Sequence, residues 1–295
     1  MAVDIILLTL AVLPVVAGMV LKILTTPASE GVAIEGARIF FTLRMPFQDF
    51  PVTESQVNSW IVILSVFWLC LWLTHGIAEK PRTRRQYVAE WIVEKTEDMV
   101  HTNMDPYFRG YAPFICAILA ISALSSLLSL VGLFAPTSDL NVVGGWAILV
   151  FILITYYKMK CGVFHYIRSF GDPVPFLAPL NVISEVATPV SMAFRHYGNV
   201  LSGSVISLLV VTLLRSLSSS LLGALPGWLS GIPILQIGLP AILSLYLDIF
   251  SSGLQAFIFA MLTMLYVSGA FPAEDYEKKM EKKKRRKLKK ETQEV

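Results

Sequence analysis

Four charged side chains lie inside the last two long apolar segments of this 295-residue chain. They are Glu185, Arg195, Arg215 and Asp248. A charge at the centre of a membrane helix costs about 2.5–3.5 kcal/mol or more, so residues of this kind mark functional sites. Arg195 is the most informative, because apolar and small residues flank it on both sides and a guanidinium keeps its proton even when buried. A permanent cation at this depth needs a buried carboxylate partner or takes part in moving charge.

Polar residues recur every three or four positions along both of these segments. They are Ser184, Thr188, Ser191, Arg195, Asn199 and Ser202 on the first segment, and Ser244, Asp248, Ser251 and Gln255 on the second. Residues with this spacing lie on one face of a helix. Two such faces, one with a fixed cation and one with an acid, are typical of an ion pathway. For the serines alone, close packing of membrane helices is the competing explanation.

The composition places these helices in a membrane. Hydrophobic residues make up 55% of the chain and charged residues only 15%, with a mean hydropathy of +0.65. Soluble domains carry about 25% charged residues, so the composition excludes a soluble enzyme and a disordered chain. Six segments reach or approach the ~20 residues that a span needs, namely 5–24, 59–78, 112–135, 142–161, 177–222 and 232–272. We therefore predict an all-α integral membrane protein with five to six membrane helices.

Basic residues between the spans predict the orientation. They cluster in 79–110, 158–176 and 278–290, which the positive-inside rule places in the cytoplasm. The alternate loops, 25–58, 136–141 and 223–231, then face outwards. Within the first basic segment, 86–104 has the pattern of an amphipathic cytoplasmic helix. The first span carries Asp4 where a signal peptide would be basic, so we expect a retained membrane helix.

The last two segments are too long to be simple spans. At 1.5 Å per residue, a helix of ~45 residues is about 67 Å long, more than twice the ~30 Å hydrocarbon core. Such helices are either broken or strongly tilted, and strong tilt is costly unless the helix packs against a partner. The sequence therefore predicts a long, tilted helical hairpin that packs against a partner in the membrane.

Residues around Arg195 and Gln255 resemble the motifs of one family. The run Pro189-Val-Ser-Met-Ala-Phe-Arg195-His-Tyr-Gly198-Asn199-Val-Leu-Ser-Gly203 is similar to PVSLxLRLxGNxxAG, and Leu254-Gln255-Ala-Phe-Ile-Phe259 matches LQAFIF. Both motifs are typical of subunit a of bacterial F-type ATP synthases, and the resemblance covers roughly residues 50–272. The chain would then divide into an N-terminal helix with an outside-facing segment (1–45), a membrane domain (46–272) and a basic cytoplasmic tail (273–295).

The resemblance implies an ion-translocating stator in the bacterial plasma membrane. In that family, subunit a provides two aqueous half-channels beside a rotating ring of c subunits, and an arginine faces the ring carboxylates. Arg195 occupies that position, with Asn199 one turn away and Gln255 placed near it. Glu185 corresponds to the acid of the cytoplasmic half-channel, and Asp248 would be the acid of the outward one. The implied partners are the c-ring, the b subunits of the peripheral stalk, the rest of the F0F1 complex and membrane lipid.

Two positions depart from the family pattern. Many bacterial members have a glutamate where this chain has Ser204 and a histidine where it has Asp248. The outward acid would then work alone, which fits either H⁺ or Na⁺ as the coupling ion. Other residues are expected to line the half-channels: Ser204, His196, Ser191, Ser244 and Ser251. His196 lies about 100° around the helix from Arg195. We therefore expect a role in packing rather than in proton transfer.

Other classes of function have weaker support. A stand-alone ion-coupled secondary transporter, with Arg195 anchoring a substrate carboxylate, would show an internal repeat. The sequence shows no such repeat. An intramembrane enzyme would need a nucleophile with its base or a metal pair, yet the histidines are dispersed at 75, 101, 165 and 196. The sequence has no P-loop, and its three cysteines lack metal-ligand spacing. We expect no cofactor, no metal and no covalent chemistry, and a tail that lies near anionic headgroups rather than on nucleic acid.

Overall fold

Helices make up most of the part of the chain that the structure describes. The computed structural model describes residues 2–25, 36–46, 49–78, 83–171, 174–222, 242 and 245–293. Its helices include α1 (Ala2–Thr25), α2 (Glu54–Thr74), α3 (Arg84–Asn103), α4 (Ala112–Leu127), α5 (Leu140–Lys158), α6 (Val163–Ser169), α7 (Ala178–Leu222), α8 (Ser252–Gly269) and α9 (Ala273–Gln293). The predicted all-α class is confirmed, and α3 is the helix expected near 86–104.

Among the described residues, six helical segments are long and apolar enough to cross a membrane. They are Val3–Thr25, Glu54–Thr74, Pro106–Val131, Leu140–Cys161, Pro175–Ser218 and Ile249–Gly269. The second begins and ends several residues before the predicted 59–78. Its first turns are polar, but Ser55 donates to the carboxylate of Asp139, and Asn58 donates to the carbonyl of Phe134 over 2.8 Å. Because these contacts satisfy the polar groups, the helix extends into residues that hydropathy alone leaves out.

The long helix α7 is continuous over 45 residues and includes Pro189. Of the two alternatives for segment 177–222, a broken helix is therefore wrong. At 1.5 Å per residue α7 is about 67 Å long, so it can lie within a bilayer only if it is strongly tilted away from the membrane normal. The second arm contains a π-helical turn, Leu247–Ser251, that leads into α8. Residues 223–241, which would join the two arms, lie outside the described residues.

A small sheet precedes α2, and the sequence analysis did not predict it. Strand β1 (Ile39–Leu43) pairs antiparallel with β2 (Phe50–Thr53), with a register shift between Ile39 and Phe41. The backbone N–H of Glu54 continues the pairing by donating to the carbonyl of Arg38 over 2.7 Å. The sheet leads the chain directly into the first turn of α2.

Basic segments from three parts of the chain lie towards one end of the bundle. Arg85, in the first turn of α3, pairs with Asp4 of α1. Lys279 of α9 donates to the carbonyls of Lys160 and Cys161, over 3.2 Å and 3.1 Å. At the opposite end, the ammonium of Lys22 donates to the carbonyl of Gly132 over 2.5 Å. The first helix therefore runs from the basic end to the other end.

The core of the bundle lies where α4, α5, α7 and α8 pack together. Its buried residues include Ile115, Val150, Met192, Phe259 and Ala260. The small side chain of Ala260, which is 0% exposed, lets the helices approach closely, as small residues do in membrane bundles. This packing fixes one face of α7 against the chain and leaves its other face uncovered.

Candidate functional site

Arg195 lies on the uncovered face of α7. Its neighbours Met192, Ala193 and His196 are buried against the core, whereas Arg195 is exposed. Most of the polar stripe shares this exposure, and Thr188 is half-buried; the exposed members are Ser184, Ser191, Asn199 and Ser202. Among the described side chains, no carboxylate lies within the 4.0 Å of an ion pair with Arg195. The cation therefore points away from the chain's own packed core.

Asn199, one turn beyond Arg195, joins α7 to α8. Its Nδ2 atom donates to Oε1 of Gln255 over 2.5 Å. Gln255 is 2% exposed, so the hydrogen bond satisfies an amide oxygen that would otherwise be buried without a partner. The structure thus brings together two of the polar residues that the sequence placed on facing helices.

His196 is packed in an aromatic pocket. It is 0% exposed, and its ring meets those of Trp146 and Phe259 edge to face at 5.9 Å and 5.6 Å. Neither ring nitrogen has a hydrogen-bond partner among the described residues. The side chain faces the core rather than the stripe of Arg195, as the 100° offset implies.

Glu185 lies in a polar cavity at the basic end of the bundle. One carboxylate oxygen is 2.9 Å from the ammonium of Lys158, and the other accepts a hydrogen bond from the hydroxyl of Tyr166 over 3.0 Å. Burial raises the pKa of Tyr166, and the contact with Glu185 adds to this. The cavity has a volume of about 280 Å³, and Thr188 and Tyr266 also line it.

A second, larger cavity lies beyond Arg195 in the other direction. It has a volume of about 470 Å³ and lies at the end where Lys22 meets Gly132. Its lining includes several serines, namely Ser126, Ser129, Ser138, Ser204, Ser251 and Ser252. Asn199 also lines this cavity, which brings it to within one turn of Arg195. A cavity of this size with polar groups on its walls can hold water.

The wall formed by α4 continues inwards from this cavity. Ser122 and Ser125 lie one turn from Ser126 and Ser129, on the same side of the helix, and are 0% and 1% exposed. Their hydroxyl oxygens have no hydrogen-bond partner among the described residues. Hydropathy does not predict this wall, although the run of serines at helical spacing in 122–129 is a signal for it.

Two predicted residues of the second stripe cannot be placed in this geometry. Ser244 lies outside the described residues. The backbone of Asp248 belongs to the π-helical turn Leu247–Ser251, but its side chain lies outside the described part of the chain. This irregularity coincides with the acid that the sequence indicates, Asp248. Single π-helical turns occur frequently at functional sites.

Arg195 separates the two cavities along α7. Glu185 lies ten residues before it and Ser204 nine residues after it, which corresponds to about 15 Å and 13 Å of helix. The two cavities therefore lie on either side of Arg195 along the helix. Among the described residues, no three His, Cys, Asp or Glu side chains form a metal site.

Comparison with known proteins gives a consistent match. A sequence model of the family described as ATP synthase A chain matches residues 56–268. "ATP synthase subunit a" of Moorella thermoacetica is 31% identical over 220 residues, which cover 74% of this chain and 90% of that protein. The protein of the same name from Legionella pneumophila (strain Paris) is 25% identical over 227 residues, covering 76% and 89%. "ATP synthase subunit a, sodium ion specific" of Propionigenium modestum is 26% identical over 275 aligned residues, covering 82% and 88%.

Proposed function

This chain belongs to the ATP synthase A chain family, and from that premise we propose that it is the stator through which ions reach and leave a rotating c-ring. Membership makes it a multi-pass membrane subunit of the F0 sector. The observation that carries the finer proposal is the position of Arg195. Its guanidinium is exposed on the uncovered face of α7, between two polar cavities.

An exposed cation at mid-membrane needs a partner outside the chain. An unpaired arginine facing lipid is costly, and the described carboxylates of this chain lie elsewhere, Glu185 being paired with Lys158. A carboxylate on a passing c subunit would meet this need and would stay ionised beside Arg195. The polar stripe on either side of Arg195 offers a surface on which the ring can slide.

The two cavities supply the route on each side of the arginine. An ion enters the outer cavity, passes Asp248 and neutralises a c-subunit carboxylate, which can then turn into the lipid. After one rotation the ion is released through the cavity of Glu185. A unit charge that crosses the membrane potential supplies about 2.3 kcal/mol per 100 mV, and the ring passes this free energy on as torque for ATP synthesis.

Each predicted site residue has a part in this route. Arg195 separates the half-channels, and Asn199 with Gln255 holds α7 and α8 in register beside it. Asp248 relays the ion on the outer side without a glutamate at the position of Ser204. The remaining lining residues are Ser191, Ser244 and Ser251, while His196 supports the packing. The ion is H⁺ or Na⁺, since a lone carboxylate accepts either.

The complex around this chain follows from the same proposal. The c-ring covers the face of Arg195, and the b subunits of the peripheral stalk and the rest of F0F1 hold the stator still. The membrane is the bacterial plasma membrane, with the basic end of the bundle and the C-terminus in the cytoplasm. The domain 46–272 carries the function, and nucleotide chemistry takes place in other subunits.

Disulfide cross-linking tests the proposed contact with the ring. Cysteine is placed at exposed Ser191 or Ser202, in a chain whose Cys70, Cys116 and Cys161 are replaced by serine, and paired with cysteines on the ring-facing helix of the c subunit. We expect cross-links from both positions. Ala193→Cys, which is buried on the opposite face, is the matched control. Cross-linking from Ala193→Cys but not from Ser191→Cys or Ser202→Cys would contradict the proposal.

A further inference from the structure

The acid of the inner cavity already has a cation beside it. The Nζ atom of Lys158 lies 2.9 Å from Oε2 of Glu185, whose side chain is 7% exposed, while that of Lys158 is 32% exposed. We propose that Lys158 is a positioning residue that weakens the binding of the coupling ion from the cytoplasmic side and so favours its release. The inference rests on the proposed function, because it assigns the inner cavity to the ion's route.

The contact is assembled from three helices. Lys158 is the last residue of α5, Glu185 lies near the start of α7, and Tyr166 donates to the second oxygen of the carboxylate from α6. The cavity itself is lined by α5 and α7 together with α8, which contributes Tyr266. Among the described residues of these elements, Lys158 is the only cation that pairs with Glu185.

The direction of Lys158 is specific. Lys160, two positions further on, turns to a different surface, where its Nζ atom lies 5.0 Å from the ring centre of Tyr156. Both ammonium groups belong to the same end of the bundle, yet only that of Lys158 enters the cavity of Glu185. A lysine that only extends its ammonium to the membrane–water interface does not need to pair with a buried carboxylate.

The pair acts differently on uptake and on release. A cation that arrives from the cytoplasm meets a carboxylate whose charge is already compensated, so it must displace the ammonium or share the acid with it. Either outcome lowers the affinity of the cavity for the ion. An ion that leaves is helped by the same ammonium, which returns to Glu185 behind it. Lys158 therefore suits a machine that releases ions into the cytoplasm during ATP synthesis.

ATP-driven pumping into inverted membrane vesicles tests this inference, because the cytoplasmic side then faces the medium. The whole F0F1 complex carries Lys158→Met, Lys158→Gln or Lys158→Arg, and the external concentration of the coupling ion is varied. We expect the two uncharged variants to reach half-maximal pumping at an ion concentration about tenfold lower than the parent. Lys158→Arg keeps the charge and should behave like the parent. Lys160→Met, which removes a neighbouring charge outside the cavity, is the matched control.

The outcomes separate this inference from the proposed function. If the parent complex pumps and the uncharged Lys158 variants reach half-maximal pumping at the same ion concentration as the parent, Lys158 does not weaken the binding of the ion. The inference also fails if both uncharged variants do not assemble while Lys158→Arg does, since the charge is then structural. If Lys160→Met produces the same shift, the effect belongs to surface charge in general. A parent complex that does not pump ions at all would instead overturn the proposed function.

Discussion

The amide nitrogen of Asn199 donates to the amide oxygen of Gln255 over 2.5 Å, and this hydrogen bond joins α7 to α8 within one turn of Arg195. It connects the helix that carries the cation to the helix that follows Asp248. Because Gln255 is buried, its side chain has a fixed position from which to hold Asn199. Besides the core packing, this hydrogen bond links the two helices at the level of Arg195.

A double-mutant cycle tests this dependence. Asn199→Leu and Gln255→Leu should each lower the rate of ATP synthesis by about tenfold, because each removes the hydrogen bond that joins α7 to α8 beside Arg195. The double variant should synthesise ATP no more slowly than the slower of the two single variants, since both substitutions remove the same hydrogen bond. The rate is measured in vesicles with an imposed ion gradient. Losses that multiply in the double variant would show that the two residues act independently.

His196 should be replaceable by an apolar side chain. Its ring lies between Trp146 and Phe259, and neither nitrogen has a hydrogen-bond partner among the described residues. His196→Leu keeps a similar volume and removes unpaired polar atoms, so ATP synthesis should stay within about twofold of the parent rate. The pH profile of synthesis should also be unchanged. A changed profile with normal assembly would assign His196 a role in ion transfer.

Asp248 should limit the uptake of ions from the outer side. Its backbone lies in the π-helical turn before α8, and the sequence offers no second acid at Ser204. Asp248→Asn removes the ionisable relay and should slow ATP synthesis by about a hundredfold, the lower range for a lost proton-transfer group. The rate is measured as a function of ion concentration on the outer side. Unchanged synthesis would exclude Asp248 from the route.

Gly18 fixes the approach of α1 to the rest of the bundle. A Cβ atom added there would lie 2.7 Å from Cδ1 of Ile61 and 3.6 Å from Cδ1 of Leu133. Gly18→Ala can be accommodated, because the end of the Ile61 side chain can move. Gly18→Leu overpacks the contact at a cost of about 1–3 kcal/mol, so less intact complex should be recovered from membranes. Equal recovery of the two variants would show that α1 does not pack tightly here.

The sequence predicts the membrane helices well, because apolar length alone defines most of them. Its errors occur where polar groups are satisfied by distant residues. Ser55 and Asn58 belong to α2 because Asp139 and Phe134 accept their hydrogen bonds. Hydropathy assigns such residues to a loop, since it does not register partners that are more than seventy positions away in the chain.

The same reason explains what the sequence missed at the site. Helical spacing places Arg195 and Asn199 on one face, and this is visible within a single segment. The basic residues of segment 158–176 indicate only orientation, because nothing in that segment indicates that Lys158 pairs with Glu185, which follows 27 positions later. The pair exists because α5 ends where α7 begins, and only the packing of the bundle shows this.

The most direct test of the account is ion-driven ATP synthesis by the complex with Arg195→Ala. Vesicles with the parent, Arg195→Ala or Arg215→Ala chain are given the same ion gradient, and the amount of assembled F0F1 is measured in each. Arg215 is the matched control, because it is an exposed arginine further along the same helix. The expected result is an assembled complex without synthesis for Arg195→Ala and substantial synthesis for Arg215→Ala. Normal coupled synthesis by the Arg195→Ala complex would contradict it.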